Sequence, residues 1–318
     1  MNVTISENAW RAMQCPDCRH ELRRISEGAD CSSCGARYPR RASGALDMRL
    51  KKSKRIQHEY VLGEPLLAPP GVDFRLLREK RAPAVDFGEL RVPYHLTRAL
   101  MSHFPRAGSR GDLALDLGCG TALHRPVCEA AGFEYLGLDH DSDMAQLLGD
   151  AHALPFRDAS IGFALSIAVL EHIRYPFVMM REVHRVLRPG AAFIGTVAFL
   201  EPFHSESYYH HTHLGTLNSL REGGFEVKCI APSAQWNALA AQGAMGLFPR
   251  MPGVLLRPLL WPLLLLHRMW WTIGGLVRPE ATATVRIRNL TGAFSFVARR
   301  PATDQQSDRH RSGSASPG

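Results

Sequence analysis

The sequence has no apolar stretch long enough to cross a bilayer. A spanning helix needs about 20 consecutive apolar residues, and the longest clean run, Leu259–Leu266, is broken by Pro262. The first ten residues, MNVTISENAW, lack the apolar core of a secretory signal, so a cytoplasmic setting is expected. Cysteine is sparse, with seven in 318 residues. In a reducing compartment these are not expected to form structural disulfides. Acidic residues are scarce at one end only. Residues 1–55 hold twelve Lys and Arg against six Asp and Glu, which supplies six of the eight net positive charges. The remainder is close to neutral and has no evident basic stripe. Apolar content of 45% and aromatic content of 8% permit an ordinary core, and the length suits one sizeable domain plus a small one.

Four of the seven cysteines fall in two knuckles, Cys15-Pro-Asp-Cys18 and Cys31-Ser-Ser-Cys34, with twelve residues between them. Paired C-x₂-C knuckles at such spacing read as a tetrahedral structural zinc site, each tight turn offering two thiolates. Two disulfides or a redox pair are the competing readings, and both suit the compartment and the duplication poorly. A segment this short builds little core, so metal would supply most of its folding free energy.

The chain is organised around Leu113–Ala122, LALDLGCGTA. It reads as a buried strand, Leu113–Leu117, a tight turn at Gly118-Cys119-Gly120, and then a helix. That is the first strand–turn–helix of a doubly wound sheet, whose ligands lie at the carboxyl ends of the strands. A dinucleotide site usually has a third glycine, absent here, and sets its pyrophosphate on the helix N-terminus. The carboxylate of Asp116 would repel pyrophosphate. It suits a ligand with an ammonium and a sulfonium, such as S-adenosylmethionine (SAM). Asp139 follows Gly118 by 21 residues, close to the roughly 20-residue spacing at which an acid meets ribose hydroxyls. A third acid, Asp150, lies in the short segment 149–154.

Strands and helices then alternate, which argues for an α/β, doubly wound, mostly parallel sheet. Expected strands are Glu134–Asp139, Ile161–Ile167, Ala191–Ala198, Phe225–Ile230 and Asn289–Arg299. Expected helices lie over Val92–Phe104, His124–Ala131, Ser142–Leu148 and Tyr175–Leu187. On the last, Phe177, Met180, Val183, Val186 and Leu187 form a buried stripe, with Arg174, Arg181, Glu182 and Arg185 elsewhere.

At these residues the chain resembles the class I SAM-dependent methyltransferases, specifically the type 11 family. The segments that carry the resemblance are DLGCG (116–120), LDHD (138–141), GDAHALPF (149–156), SIAVLEHI (166–173) and REVHRVLRPG (181–190), spread over about residues 90–230. The resemblance implies a Rossmann-like sheet of seven strands in the order 3-2-1-4-5-7-6. It also implies cofactor contacts from Asp116, Gly118, Cys119, Gly120, Asp139, His140, Asp150, Ala151, Ser166 and Ile167. Of these, the first turn would hold the methionine part, Asp139 the ribose, and Asp150 with Ala151 the adenine. Ser166 and Ile167 would face the transfer site. His172 is the leading candidate for a general base, with His210 and His211 behind it. Ala122 and Ala191 stand where the family often has glycine. The segment CPDCRHEL…CSSCGARYP…GALDM resembles the zinc ribbon of the small activator protein of tRNA methyltransferases. It is also similar to the zinc finger at the front of bacterial ribosomal RNA guanine methyltransferases.

Two stretches depart from a plain fold. Glu201–Leu214 holds His204, His210, His211 and His213, which could be a metal site, an exposed loop, or the substrate-facing loop that the family places before a helix capped here by Thr212. Residues 243–277 are the most apolar part of the chain. Pro249, Pro252, Pro258 and Pro262 are expected to break it into two short amphipathic pieces over the crevice, either a lid or a membrane-interface contact at the inner face of the membrane. The expected organisation is a zinc ribbon (1–48), a basic linker and irregular segment (49–91), a methyltransferase domain (92–300) and a disordered tail (301–318). Three functions stay open. The first is methylation of a small-molecule or lipid-linked acceptor. The second is RNA base methylation with the ribbon and linker on phosphates, although no Asn/Asp-Pro-Pro-Tyr/Phe signature is present. The third is a non-catalytic SAM-binding adaptor.

Overall fold

The computed structural model describes residues 4–57, 73–203, 206–233, 236–278 and 282–302. His204 and most of the 301–318 tail lie outside them. The chain begins with α1 (Glu7–Ala12), capped by the Ser6 hydroxyl, which accepts from the Ala9 N–H. A small antiparallel sheet follows, made of β1 (Leu22–Ile25), β2 (Gly28–Cys31) and β3 (Arg37–Pro39). The next two strands, β4 (Leu46–Asp47) and β5 (Asp73–Phe74), belong to the main sheet. Then come α2 (Arg98–Met101), β6 (Leu113–Leu117), α3 (Arg125–Ala130), β7 (Glu134–Asp139), β8 (Leu147–Leu148) and β9 (Ile161–Ile167). A 3₁₀ turn at Leu170–His172 leads into α4 (Pro176–Val186), β10 (Leu187–Ala198), α5 (His213–Glu222) and β11 (Glu226–Pro232). The last part comprises α6 (Ala238–Ala241), a π-helical turn at Gln242–Leu247, α7 (Gly253–Val277), α8 (Ala283–Leu290) and β12 (Ala293–Arg299).

The main sheet runs β4-β8-β7-β6-β9-β10-β12-β11-β5, and only β12 is antiparallel to its neighbours. The expected 3-2-1-4-5-7-6 order forms its centre. The strand count is nine rather than seven, because β4 and β5, two residues each, extend the two edges. All five residues of β6 are buried, as befits a parallel strand covered on both faces. Side chains alternate between those faces. On one, Leu115, Leu136, Phe156 and Val183 share a core with Met13, Tyr38, Leu46 and Met48 from the N-terminal segment. On the other, Leu100, Phe104, Val127 and Phe163 pack together.

Several expectations change in physical detail. Ser142–Leu148 is a turn followed by β8, not a helix. The Gln146 amide explains this, accepting from the Gly137 N–H at 2.8 Å and donating to the Tyr135 carbonyl at 2.9 Å, which holds the segment beside β7. Within Val92–Phe104 only Arg98–Met101 is helical, preceded by Pro93 and by His95 at φ +64°. Asn289–Arg299 divides between the end of α8 and β12. The two short pieces expected over 243–277 are instead dominated by one 25-residue helix, α7. Pro258 and Pro262 sit four residues apart on one exposed face, so the carbonyls they leave without donors face solvent, where water replaces the lost bonds. Glu182, expected outside the apolar stripe of α4, is buried. Its carboxylate accepts from the Leu154 N–H, from Arg185 and, at 3.0 Å, from Arg19 of the N-terminal segment.

Candidate cofactor crevice and cysteine cluster

The glycine turn is held from two sides. The Gly118 N–H donates to the Leu138 carbonyl at 2.8 Å, and the Gly120 N–H donates to Asp139 Oδ2 at 2.9 Å. Gly118 has φ +63°, and a Cβ there would lie 2.5 Å from a Val169 methyl carbon. Both geometry and space therefore require glycine. Gly120, at φ +51°, has nothing within 4 Å of where a Cβ would stand. That open side is where a ligand can approach the backbone.

Asp116 is fully buried beneath the turn. Its Oδ2 accepts from the Tyr135 hydroxyl at 2.8 Å and sits 3.2 Å from His124 Nδ1, while its Oδ1 has no hydrogen bond. Ser166 Oγ, at the end of β9, is likewise buried without one. Orphaned buried polar atoms are costly. Two of them lie at the carboxyl ends of the paired strands β6 and β9. Cys119 is buried between the turns, and burial, with Asp116 and Asp139 nearby, raises its thiol well above the usual range. Asp139 Oδ1 accepts from the Asp141 N–H at 3.0 Å. The neighbouring His140 side chain is exposed, and the His140 carbonyl lies 3.4 Å from Arg49 Nη1.

Asp150 follows β8 and accepts from the His152 N–H at 2.8 Å and from His152 Nδ1 at 2.6 Å. His152 Nε2 lies 3.0 Å from the Tyr175 N–H and must accept from it. The ring thus ties Asp150 to the start of α4. Although burial opposes it, these bonds hold the Asp150 carboxyl below its ordinary value. Ala151 is half-buried beside it. Ile167 is buried at the end of β9, and the 3₁₀ turn carrying His172 follows directly. Glu171 in that turn is fully buried, and its carbonyl accepts from the Tyr208 and Tyr209 N–H groups, so the loop after β10 leans on the turn after β9. His211 in that loop is buried. Burial lowers its pKa, and its Nε2 lies 3.4 Å from the Leu170 carbonyl. His210 is exposed. Thr212 caps α5 as expected, accepting from the Gly215 N–H. Among the described residues these histidines form no metal-ligand cluster.

The one such cluster among the described residues is Cys15, Cys18, Cys31 and Cys34, whose sulfurs lie within 4.8 Å of one another. The closest pairs are Cys18–Cys31 at 3.4 Å and Cys15–Cys34 at 3.7 Å. A zinc tetrahedron with Zn–S bonds of about 2.3 Å has edges of roughly 3.75 Å, so the four sulfurs fit the ion. Burial pushes the Cys15 thiol up to about 12. Burial acts the same way on Cys31, but the Cys34 backbone N–H and its other hydrogen bonds outweigh it and bring that thiol down to about 7.

Residues 115–195 match the family described as a methyltransferase domain. This segment is similar to methyltransferase domains. An uncharacterized methyltransferase of Mycobacterium marinum is 34% identical over 107 residues, covering 29% of this chain and 42% of the relative. One from Mycobacterium tuberculosis is 28% identical over 167 residues, covering 44% and 66%. The chain spans about half the length of the first such relatives. A chain in the complex between the Haloferax volcanii Trm112 methyltransferase activator and a methyltransferase shows 20% identity and a TM-score of 0.42, over 65% of this chain and 90% of that one. A SAM-dependent methyltransferase from Mesorhizobium loti shows 18% and 0.40, over 64% and 96%.

The crevice has features that its motifs do not reveal. His152 and Tyr135 were missed because their contacts to Asp150 and Asp116 carry no motif of their own. Arg49, expected in a basic linker, bonds Asp47 at 2.7 Å and reaches the His140 carbonyl. A lone arginine beyond a ribbon carries no sequence signal for that contact.

Proposed function

We propose that the chain methylates a lipid-linked acceptor at a membrane surface, using SAM held at the carboxyl ends of β6, β7 and β8. Bound SAM supplies a methyl group on a sulfonium, an already activated leaving group. The protein's task is then alignment and exclusion of water. Asp116 and the Gly118–Gly120 turn would hold the methionine part. Asp139 would receive the ribose hydroxyls, and Asp150 with Ala151 the adenine. Ser166 and Ile167 would border the transfer site. His172, in the turn after β9, would take a proton from a hydroxyl acceptor; His211 and His210, in the loop after β10, are the further candidates. The cysteine cluster would hold structural zinc and keep β4 paired to β8.

The observation that carries the choice of acceptor is the insertion between β11 and β12. It leaves the carboxyl end of β11 and returns at the start of β12, beside the carboxyl end of β10. The Phe199 N–H donates to the Gly292 carbonyl at 2.7 Å, and Trp236 Nε1 donates to Glu201. The insertion therefore stands on the crevice side of the sheet. Of the 25 residues of α7 only Leu256 is buried. Trp270 is 73% exposed and Leu276 84%. No described helix is long and apolar enough to cross a membrane. An apolar helix that does not span, with tryptophans and arginines, suits the interface. Residues 227–279 contain no Asp or Glu, which favours an anionic surface.

A transfer assay with labelled SAM on lipid, RNA and small-molecule fractions tests this. Label is expected in the organic phase. Label confined to RNA or to water-soluble products would refute the lipid acceptor.

A further inference from the structure

Two adjoining cavities lie along the seam between α7 and α8. The larger, about 360 Å³, is bordered by Trp261, Leu264, His267 and Arg268 on α7 and by Arg286 and Ile287 on α8. The smaller, about 270 Å³, shares Arg268 and Arg286 and extends to Trp271. The two arginines thus face one space from two helices. Among the described residues neither has a carboxylate within salt-bridge distance, although ion pairs are frequent elsewhere in the chain. His267 Nε2 is buried at the seam without a hydrogen bond, and burial with Arg286 nearby lowers its pKa. The two guanidinium groups supply fixed positive charge there. Two like charges at one seam repel, and an anion between them would reverse the sign of that interaction. Phosphate is the natural match, since guanidinium groups bind its oxygens bidentately. Ser233 and Asn237 in the larger cavity and Thr272 and Thr282 in the smaller add hydroxyl and amide groups, while Trp261, Leu264, Ile287 and Leu290 form apolar wall that a bare inorganic ion would leave unused.

We propose that this seam is a headgroup site for an anionic phospholipid, with the phosphate between Arg268 and Arg286 and the acyl chains along the exposed apolar residues of α7. The site rests on the membrane-surface reading above and deepens it. It makes surface attachment selective for charged lipid and sets the insertion in register with the bilayer, next to the crevice that receives the acceptor.

The test separates a built site from general attraction to a charged surface. The full chain is titrated by calorimetry with dihexanoyl phosphatidylglycerol below its micellar concentration, where no surface exists. One saturable site is expected, weakened about ten-fold or more per arginine in Arg268→Gln and Arg286→Gln, the scale for a hydrogen bond to a charged group. Arg250→Gln with Arg257→Gln removes the same charge outside the seam and should change little, with all folds checked by circular dichroism. Equal loss in both pairs would overturn the site. So would equal binding of dihexanoyl phosphatidylcholine, or binding of glycerol phosphate as tight as that of the lipid. Co-sedimentation with phosphatidylglycerol vesicles tests the underlying reading separately. Wild-type chain that pellets but does not bind the monomeric lipid loses only the headgroup site, whereas chain that stays in the supernatant loses membrane attachment itself.

Discussion

Cys31→Ser removes one of four sulfurs that already stand at the spacing of a zinc tetrahedron. Structural zinc contributes roughly 10–16 kcal/mol in small zinc modules at neutral pH. Whole domains are stable by only about 5–15 kcal/mol, so the N-terminal sheet should lose order when the site is broken. The damage would not stop there. Met13, Tyr38, Leu46 and Met48 share a core with Phe156 and Leu138. The Met48 N–H donates to the Leu148 carbonyl at 2.7 Å, one residue before the Gly149-Asp150 turn. Loss of metal should therefore lower SAM affinity, although no cysteine of the cluster borders the crevice. The assay is elemental analysis of purified protein, paired with SAM titration before and after chelation. Wild type is expected to hold about one zinc per chain, and Cys31→Ser much less. Cys229→Ser, on β11, should keep its metal. A Cys31→Ser protein with full metal content would refute the four-thiolate site. Undiminished SAM affinity after chelation would refute its coupling to the crevice.

Other expected outcomes follow from single contacts. Ala122 has φ +60°, a conformation that costs a side chain about 1 kcal/mol or more, so Ala122→Gly should raise the urea midpoint; a fall would contradict the strain. Glu182→Ala should cost about 3 kcal/mol, since it removes a buried carboxylate paired with Arg185 and leaves the Leu154 N–H without its acceptor, whereas Arg19→Ala, half exposed, should cost less than about 1 kcal/mol; equal costs in urea unfolding would argue against the buried network. Burial, with Lys80 and Arg75 nearby, lowers His103 from 6.5 to about 4. The unfolded chain then binds the extra proton first, so stability should fall as pH drops from 6.5 toward 4. His103→Gln should flatten that slope, and an unchanged slope would remove His103 as its source.

The legible parts of this fold were those where one residue type has one use. β6, β7 and β9 have the bounds read from their apolar runs, because a fully buried parallel strand leaves few alternatives. The cysteine knuckles and the glycine turn were visible for the same reason. Features that depend on a distant partner were not. β8 owes its place to the Gln146 amide on β7. Glu182 is buried because Arg185, Arg19 and the Leu154 N–H meet it there. Prolines read as helix breakers in 243–277, yet α7 runs through two of them because both face solvent. Asp139 was read for its ribose contact. Its bond to the Gly120 N–H, which shapes the turn itself, needed coordinates.

That bond makes Asp139 the sharpest probe of the crevice. Calorimetric titration of the chain with SAM should give one binding event per chain in the wild type. Asp139→Ala removes the acceptor for the Gly120 and Asp141 N–H groups together with the expected ribose contact, and each hydrogen bond to a charged group is worth about 1.5–3 kcal/mol. Affinity should therefore fall at least about ten-fold, with Asp139→Asn between the two and circular dichroism unchanged. Wild-type protein that binds no SAM, or a folded Asp139→Ala protein that binds it as tightly as wild type, would contradict the assignment of the cofactor to this turn.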